Sequence, residues 1–281
     1  MSSNIDSKLI TDMVVENFET VATPNIGFVK NYTLDYSAEA FPRSYLTQGI
    51  VIPVTTGGIT VNTNPSDFET NSRIVSACQV PVKLYSASWA EDYNDAVPGE
   101  NSLSFAIEQL AQKIGGVVLG LFTTSSNGFG TASVDLSGAT TSEAQDKLFK
   151  DIYKSLPVAG DKYLIGNADL FAMSLPVSKN SFDVGQEGAR GFKSIYESNI
   201  LAEGNLGVVS SKKAIAIANV LPQWNIEGLE SVVVPIKSLG GLQIVVNKWS
   251  SLKSRATYWS VDVAFGAGVF DKNAAKVIKQ A

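Results

Sequence analysis

Chemistry needs side chains that can carry a proton, a metal ion or a phosphate, and this sequence offers few in useful spacing. Glu91, Asp92, Asp95 and Glu100 form an acidic cluster. A calcium loop would want oxygen ligands at alternate positions, a central glycine and a distal glutamate, but Ala96 and Leu103 hold the fifth and twelfth places counted from Asp92. Acidic residues are also favoured near a helix N-terminus, and a long periodic stretch follows this cluster directly. The chain has no histidine, which removes imidazole-based triads, histidine-ligated metal sites and the usual neutral-pH acid/base. Its single cysteine, Cys78, excludes a thiolate metal cage and an intramolecular disulfide, and fits a reducing compartment. Gly185-Gln-Glu-Gly-Ala-Arg-Gly191 has glycines at the wrong spacing for a dinucleotide fingerprint, and no phosphate-binding loop is present. Carboxylate pairs leave a two-carboxylate enzyme open. The expectation is a chain with no catalytic residue, no cofactor and no metal.

The elements that would position any site are organised around Ser102 to Thr124. There Leu103, Ala106, Ile107, Leu110, Ile114, Val117, Val118 and Leu121 recur at three- and four-residue steps, the stripe of an amphipathic helix. Asn101 or Ser102 is the expected cap. Some twenty residues would make a beam of roughly 30 Å. Glu108, Gln109, Gln112 and Lys113 interrupt it too often for a membrane span. Gly115, Gly116 and Gly120 sit inside the periodic pattern and would let another backbone come close.

Before this beam, Ser7 to Ala22 reads as a short amphipathic helix with Leu9 or Ile10, Val14, Phe18 and Val21 on one face. Thr23 to Gln48 then loses any period while carrying Tyr32, Tyr36, Phe41 and Tyr45, which suits an extended arm lying on something else. Ile50 to Val54 and Ile59 to Thr63 read as a hairpin about Thr55-Thr56-Gly57-Gly58, with Pro53 demoting the first run to an edge. Gly49 to Trp89 thus looks like a two-stranded excursion, and isolated ribbons are marginal in water. After the beam, Ser142 with Gln145 predicts a capping box opening a helix that ends at Pro157. A strand at 162–165 and a short helix at 167–173 follow. Strand-like runs at 194–196, 207–210, 214–220, 232–236, 242–247 and 256–265 come next, and Asp271 is expected to cap a last helical turn. Helices and strands mix without βαβ alternation, so the fold class is α+β.

Hydrophobic residues make up 44% and charged residues only 17%, with a net charge of −5. A charge-poor surface is expected where much of it meets other copies, although a Ser/Thr/Asn-rich β surface would give the same composition. The acidic balance gives no global field for nucleic acid, and Lys272, Lys276 and Lys279 read as a solvated basic tail. Met1 to Asp6 lacks the basic start and apolar run of a signal peptide, so a cytoplasmic protein is expected.

Taken in order, this layout resembles the major capsid proteins of tailed double-stranded DNA bacteriophages, the Hong-Kong-97-type fold. The phrases that carry it are Gly49-Ile-Val-Ile-Pro53, the helix after Pro98-Gly99, Phe192-Lys-Ser-Ile-Tyr-Glu-Ser-Asn199, Lys213-Ala-Ile-Ala216, Ala264-Phe-Gly-Ala-Gly-Val-Phe270 and Lys276-Val-Ile278. None is specific singly; their order is. The resemblance implies an N-terminal arm at 1–48 and an extended β-hairpin loop at 49–90. It implies a peripheral domain with the spine helix at 91–140 and 241–281, and an axial domain with a central sheet at 141–240.

The implied function is structural: a non-enzymatic subunit whose pentamers and hexamers close an icosahedral shell around double-stranded DNA. The shell would be assembled in a bacterial host cytoplasm, with no membrane and no sequence-specific DNA binding. Scaffolding, portal and decoration proteins are the implied partners. Subunit-interface residues are expected at Tyr32, Tyr36, Phe41 and Tyr45 in the arm and at Pro53, Gly57 and Gly58 in the loop. Some relatives cross-link a loop lysine to an asparagine; no lysine lies between Lys30 and Lys83 here, so no such bond is expected from this loop. Three alternatives stay open: an encapsulin-type nanocompartment shell, another virion component such as a tail or decoration protein, and an α+β hydrolase using carboxylates.

Overall fold

Two sheets and two hydrophobic cores organise the chain. The structure is a computed structural model, and it describes residues 7–31, 50–54, 76–80, 82–92, 99–124, 128–175, 189–221, 228–251 and 256–281. Helix α1 (Ser7–Ile26) buries Ile10, Val14, Phe18, Ala22 and Ile26, a stripe at four-residue spacing. It runs past the expected end at Ala22 and carries Pro24 in its last turn, where the missing proline N–H leaves the Thr20 carbonyl without its helical donor. Strand β1 (Lys30–Asn31) follows. Helix α2 (Glu100–Leu119) is the expected beam and lies against α1. Its N-cap is Gly99, with no side-chain cap, in place of Asn101 or Ser102. The Oε1 atom of Glu91 takes over part of that task by accepting from the Gly99 amide at 2.8 Å. Part of the acidic cluster thus serves the helix start.

The ribbon departs from the expected hairpin. Strand β2 (Ile50–Val54) pairs antiparallel with β3 (Ser76–Val80), opposing Ile50 to Val80 and Pro53 to Ala77, while the expected partner run at 59–63 lies outside the described residues. Ser76-Ala-Cys-Gln-Val80 is a weaker β signal than Ile59-Thr-Val-Asn-Thr63, so a local reading chooses the nearer run. Strand β4 (Lys83–Asp92) leaves the ribbon altogether and pairs along ten residues with β12 (Ala256–Val269). The two-stranded excursion therefore ends at Val80.

The larger sheet is built on β12. One edge of β12 carries β4; the other carries β11 (Leu242–Ser251) along its first half and β9 (Ile215–Val220) along its second. Strand β10 (Glu230–Ile236) adds to β11, and β1 lies parallel to β9. The inner face, with Trp259, Val261, Val263, Phe265, Ile244 and Val246, joins α1 and α2 in the larger core.

The second sheet has the order β5–β13–β8–β6–β7, formed by β5 (Gly130–Val134), β6 (Tyr163–Gly166), β7 (Ser194–Glu197), β8 (Gly207–Ser210) and β13 (Ala275–Gln280). Both its faces are apolar. Tyr163, Ile165, Val208 and Val277 face the larger core, while Leu164, Ile195, Val209 and Ile278 face a smaller one closed by helices α3 (Ser142–Ser155) and α4 (Ala168–Ser174). Burial on both faces explains the unbroken apolar runs in these strands. It also overturns the helical turn expected after Asp271: residues 275–280 form the strand β13, whose Val277 and Ile278 fill opposite cores. The chain end expected to accompany the spine helix thereby pairs with β5 and β8. Helix α3 is capped by Thr141, whose Oγ1 accepts from the Ala144 amide, one residue before the expected Ser142. The α+β class holds.

Candidate functional site

The outer face of the larger sheet carries a row of polar side chains. Cross-strand pairing sets Ser86 of β4 opposite Asp262 of β12, Ser260 of β12 opposite Asn247 of β11, and Asn247 opposite Ser231 of β10. These alternate with the inward apolar residues of the same strands, as the two-residue period of a strand requires. Asp262 is buried, and its carboxylate accepts from the Ser86 hydroxyl, from Asn247 Nδ2 at 2.5 Å and from Ser260 Oγ at 3.0 Å. Ser231 Oγ donates to Asn247 Oδ1 at 2.5 Å. The row borders a cleft of about 430 Å³ that also meets Leu84, Leu229 and Trp249. All three donors to this carboxylate are neutral side chains of the same sheet face. What the arrangement does is tie four strands across one face.

Two further features mark surfaces. Arg190, in the short 3₁₀ turn Ala189–Gly191, has φ 52°, the left-handed region that non-glycine residues seldom enter. Its guanidinium pairs with Asp146 and lies 4.5 Å over the Phe149 ring, both on α3. Ion pair and cation–π contact together offset the backbone strain and fix the turn to the helix. On α2, Phe105 is 64% exposed, in contrast to the buried stripe beside it.

Pro53 lies in the ribbon, paired with Ala77 as the edge assignment requires. Tyr32, Tyr36, Phe41, Tyr45, Gly57 and Gly58 lie outside the described residues, as does Asp95 of the acidic cluster. Among the described residues no three metal-ligating side chains gather, and no described helix is long and apolar enough to cross a membrane. The polar row and Arg190 went unread in the sequence. The row's only local trace is the alternation of Leu84, Ser86 and Ser88 with Tyr85, Ala87 and Trp89.

No protein-family model and no curated protein matches the sequence. Among solved structures, the chain is similar to that of a virus-like particle from Pyrococcus furiosus, with TM-score 0.59 at 14% identity over 97% of this chain and 98% of that one. The chain shares the fold of that particle's chain. It is likewise similar to the capsid of an empty GTA particle, with TM-score 0.53 at 12% identity over 93% of this chain and 90% of that one. The capsid of the native GTA particle gives 0.52 at 13% identity over the same shares. The shared fold thus spans both sheets and both cores.

Proposed function

We propose that this chain is the major capsid protein of a tailed bacteriophage of the Hong-Kong-97 type, closing pentamers and hexamers into an icosahedral shell around double-stranded DNA. The observation that carries this reading is the end-to-end likeness to the Pyrococcus furiosus particle, with nearly all of both chains aligned. Three features support it. A two-stranded ribbon stands outside both large sheets and needs a partner surface. A beam helix braces the larger core. The chain is short of charged residues, at 17%.

In this reading the larger sheet with α1 and α2 corresponds to the peripheral domain. The five-stranded sheet with α3 and α4 corresponds to the axial domain and takes in β5 and β13. The arm aromatics and the loop around Gly57 and Gly58 reach the neighbouring subunit. Scaffolding, portal and decoration proteins are the partners, and the particle forms in the host cytoplasm. Negative-stain microscopy of the purified protein, beside its elution from a sizing column, tests the proposal. Closed shells or curved sheets of pentamers and hexamers are expected; a monodisperse monomer or dimer that stays so when a scaffold is supplied would count against it.

A second reading, a nanocompartment shell enclosing protein, fits the same likeness to a virus-like particle. The contents of the particles separate the two: nucleic acid for the capsid, protein cargo for the compartment.

A further inference from the structure

The five-stranded sheet sorts its charges by end. Tyr163, Ser194, Ser210 and Ala275 form one row across it, because Tyr163 opposes both Ser194 and Ser210, and Ser210 opposes Ala275. Just beyond this row lie Lys193 before β7, Lys212 and Lys213 after β8, and Lys272 before β13, all four exposed. Backbone hydrogen bonds hold their loops together: the Lys193 amide donates to the Lys162 carbonyl at 2.8 Å, and the Ser211 amide to the Ala274 carbonyl at 2.9 Å. Lys162 itself is buried there and donates to the Tyr153 carbonyl, so it adds charge but no contact. Asp161 and Asp271 are the carboxylates of these loops.

Glu197, Gly166, Gly207 and Ile278 form the opposite row, three residues along. Beyond it lie Glu197 itself, Asp169 in the first turn of α4, Glu203 before β8 and Asp135 after β5, all exposed. The cation there is Lys279, half-buried and bonded to Thr124 Oγ1. At about 3.3 Å per residue, some 10 Å of strand separates two rows whose surroundings carry opposite charge. None of the four exposed lysines forms an ion pair with its own chain among the described residues. A chain of net charge −5 that sets its exposed lysines at one end of a sheet and carboxylates at the other is self-complementary head to tail.

We propose that the lysine end of this sheet docks on the carboxylate end of the same sheet in a second copy of the chain. The contact is heterologous, of the kind that closes rings when the rotation between copies closes. The proposal rests on the shell reading and deepens it by naming the surfaces that meet. Long-range attraction between the ends steers encounter more than it adds affinity, so its signature is in the rate of assembly and in salt dependence.

The test uses three forms of the full chain beside the wild type, with circular dichroism and thermal melts to establish folding. The first carries Lys193→Glu, Lys212→Glu, Lys213→Glu and Lys272→Glu; the second Asp169→Lys, Glu197→Lys and Glu203→Lys; the third carries both sets. Light scattering reports the assembly rate. We expect each single set to slow assembly about tenfold or more at low salt, and the combined form to recover. An equimolar mixture of the two singly reversed chains should co-assemble. Wild-type assembly should slow between 0.01 M and 1 M salt, as the screening length falls from about 30 Å to about 3 Å.

If both singly reversed chains assemble at the wild-type rate, the docking is wrong while the shell reading stands. The same holds if the lysine set closes normal particles and loses only their nucleic acid, which would make that end a phosphate contact instead. A wild-type chain that forms no particle under any condition ends both.

Discussion

Asn219 stands where β9 and β11 meet end to end along β12, and its side chain replaces the ladder bonds the junction interrupts. Oδ1 accepts from the Gln243 amide at 2.6 Å, and Nδ2 donates to the carbonyls of Ala264 at 2.9 Å and Gln243 at 3.2 Å. Replacing it by leucine leaves buried backbone groups unpaired, so Asn219→Leu should lower stability by about 2–4 kcal/mol in chemical denaturation. Asn219→Asp keeps the acceptor but sets a buried carboxylate oxygen against two carbonyls, so it should lose at least as much. Gly115 is a second such position: a Cβ there would lie 2.8 Å from the Asn25 Cβ, while Asn25 Oδ1 accepts from the Ser198 hydroxyl at 2.7 Å. Gly115→Ala gains about 1 kcal/mol of helix propensity, yet thermal melting should show a net loss of about 1–3 kcal/mol because α1 is pushed away. Lys162 gives a pH signature. Burial holds its pKa below the ordinary 10.5, so the folded chain binds fewer protons than the unfolded one between those two values. Its contribution to stability therefore rises with pH in that alkaline window. Tyr85, raised above 10.0 by burial, acts in the opposite sense as pH passes 10.0. The difference between wild type and Lys162→Met, followed by denaturation across the window, should isolate the rising component.

At the scale of elements, the ribbon β2–β3 and the strand β12 should differ most. The two-stranded ribbon bonds to neither main sheet and meets the larger one through contacts of β3 with β9 and β12, while β12 has partners on both edges and the larger core beneath. Hydrogen exchange on the unassembled chain should therefore find the ribbon amides exchanging orders of magnitude faster than those of β12, and equal protection would contradict this. The same contrast explains what the sequence disclosed. Helices α1, α2 and α3 announce themselves by apolar spacing, and the beam lies where Leu103 to Val118 put it. Pairing choices are not local. Nothing within Ile50–Val54 distinguishes Ile59–Thr63 from Ser76–Val80 as a partner, and the nearer, more β-branched run looks better. The final strand was hidden for a related reason. Asp271 imitates a helix cap, and only the apolar surfaces waiting on both sides of Val277 and Ile278 make a strand the better use of the residues after it. Asn219 could be read only once the fork in the sheet was known.

For the whole molecule, the absence of lysine between Lys30 and Lys83 has a mechanical consequence. In the proposed shell, a loop without lysine cannot supply an amine to a neighbour's asparagine, so the shell must hold by non-covalent contact alone at that place. Its strength then comes from buried interface, and assembly and subunit stability are linked by mass action. Purified particles boiled in detergent should therefore run as a single band near 29.9 kDa, without a ladder of multiples. The native particles should melt several degrees above the unassembled chain, because binding to neighbours stabilises the folded state only. A covalent ladder would show that another lysine reaches across a subunit boundary, and would relocate the cross-link without disturbing the fold. Coincident melting of particle and free chain would be more damaging. It would mean that the ribbon and the charge-poor surface gain nothing from neighbours, and the reason for reading this fold as a shell subunit would be lost.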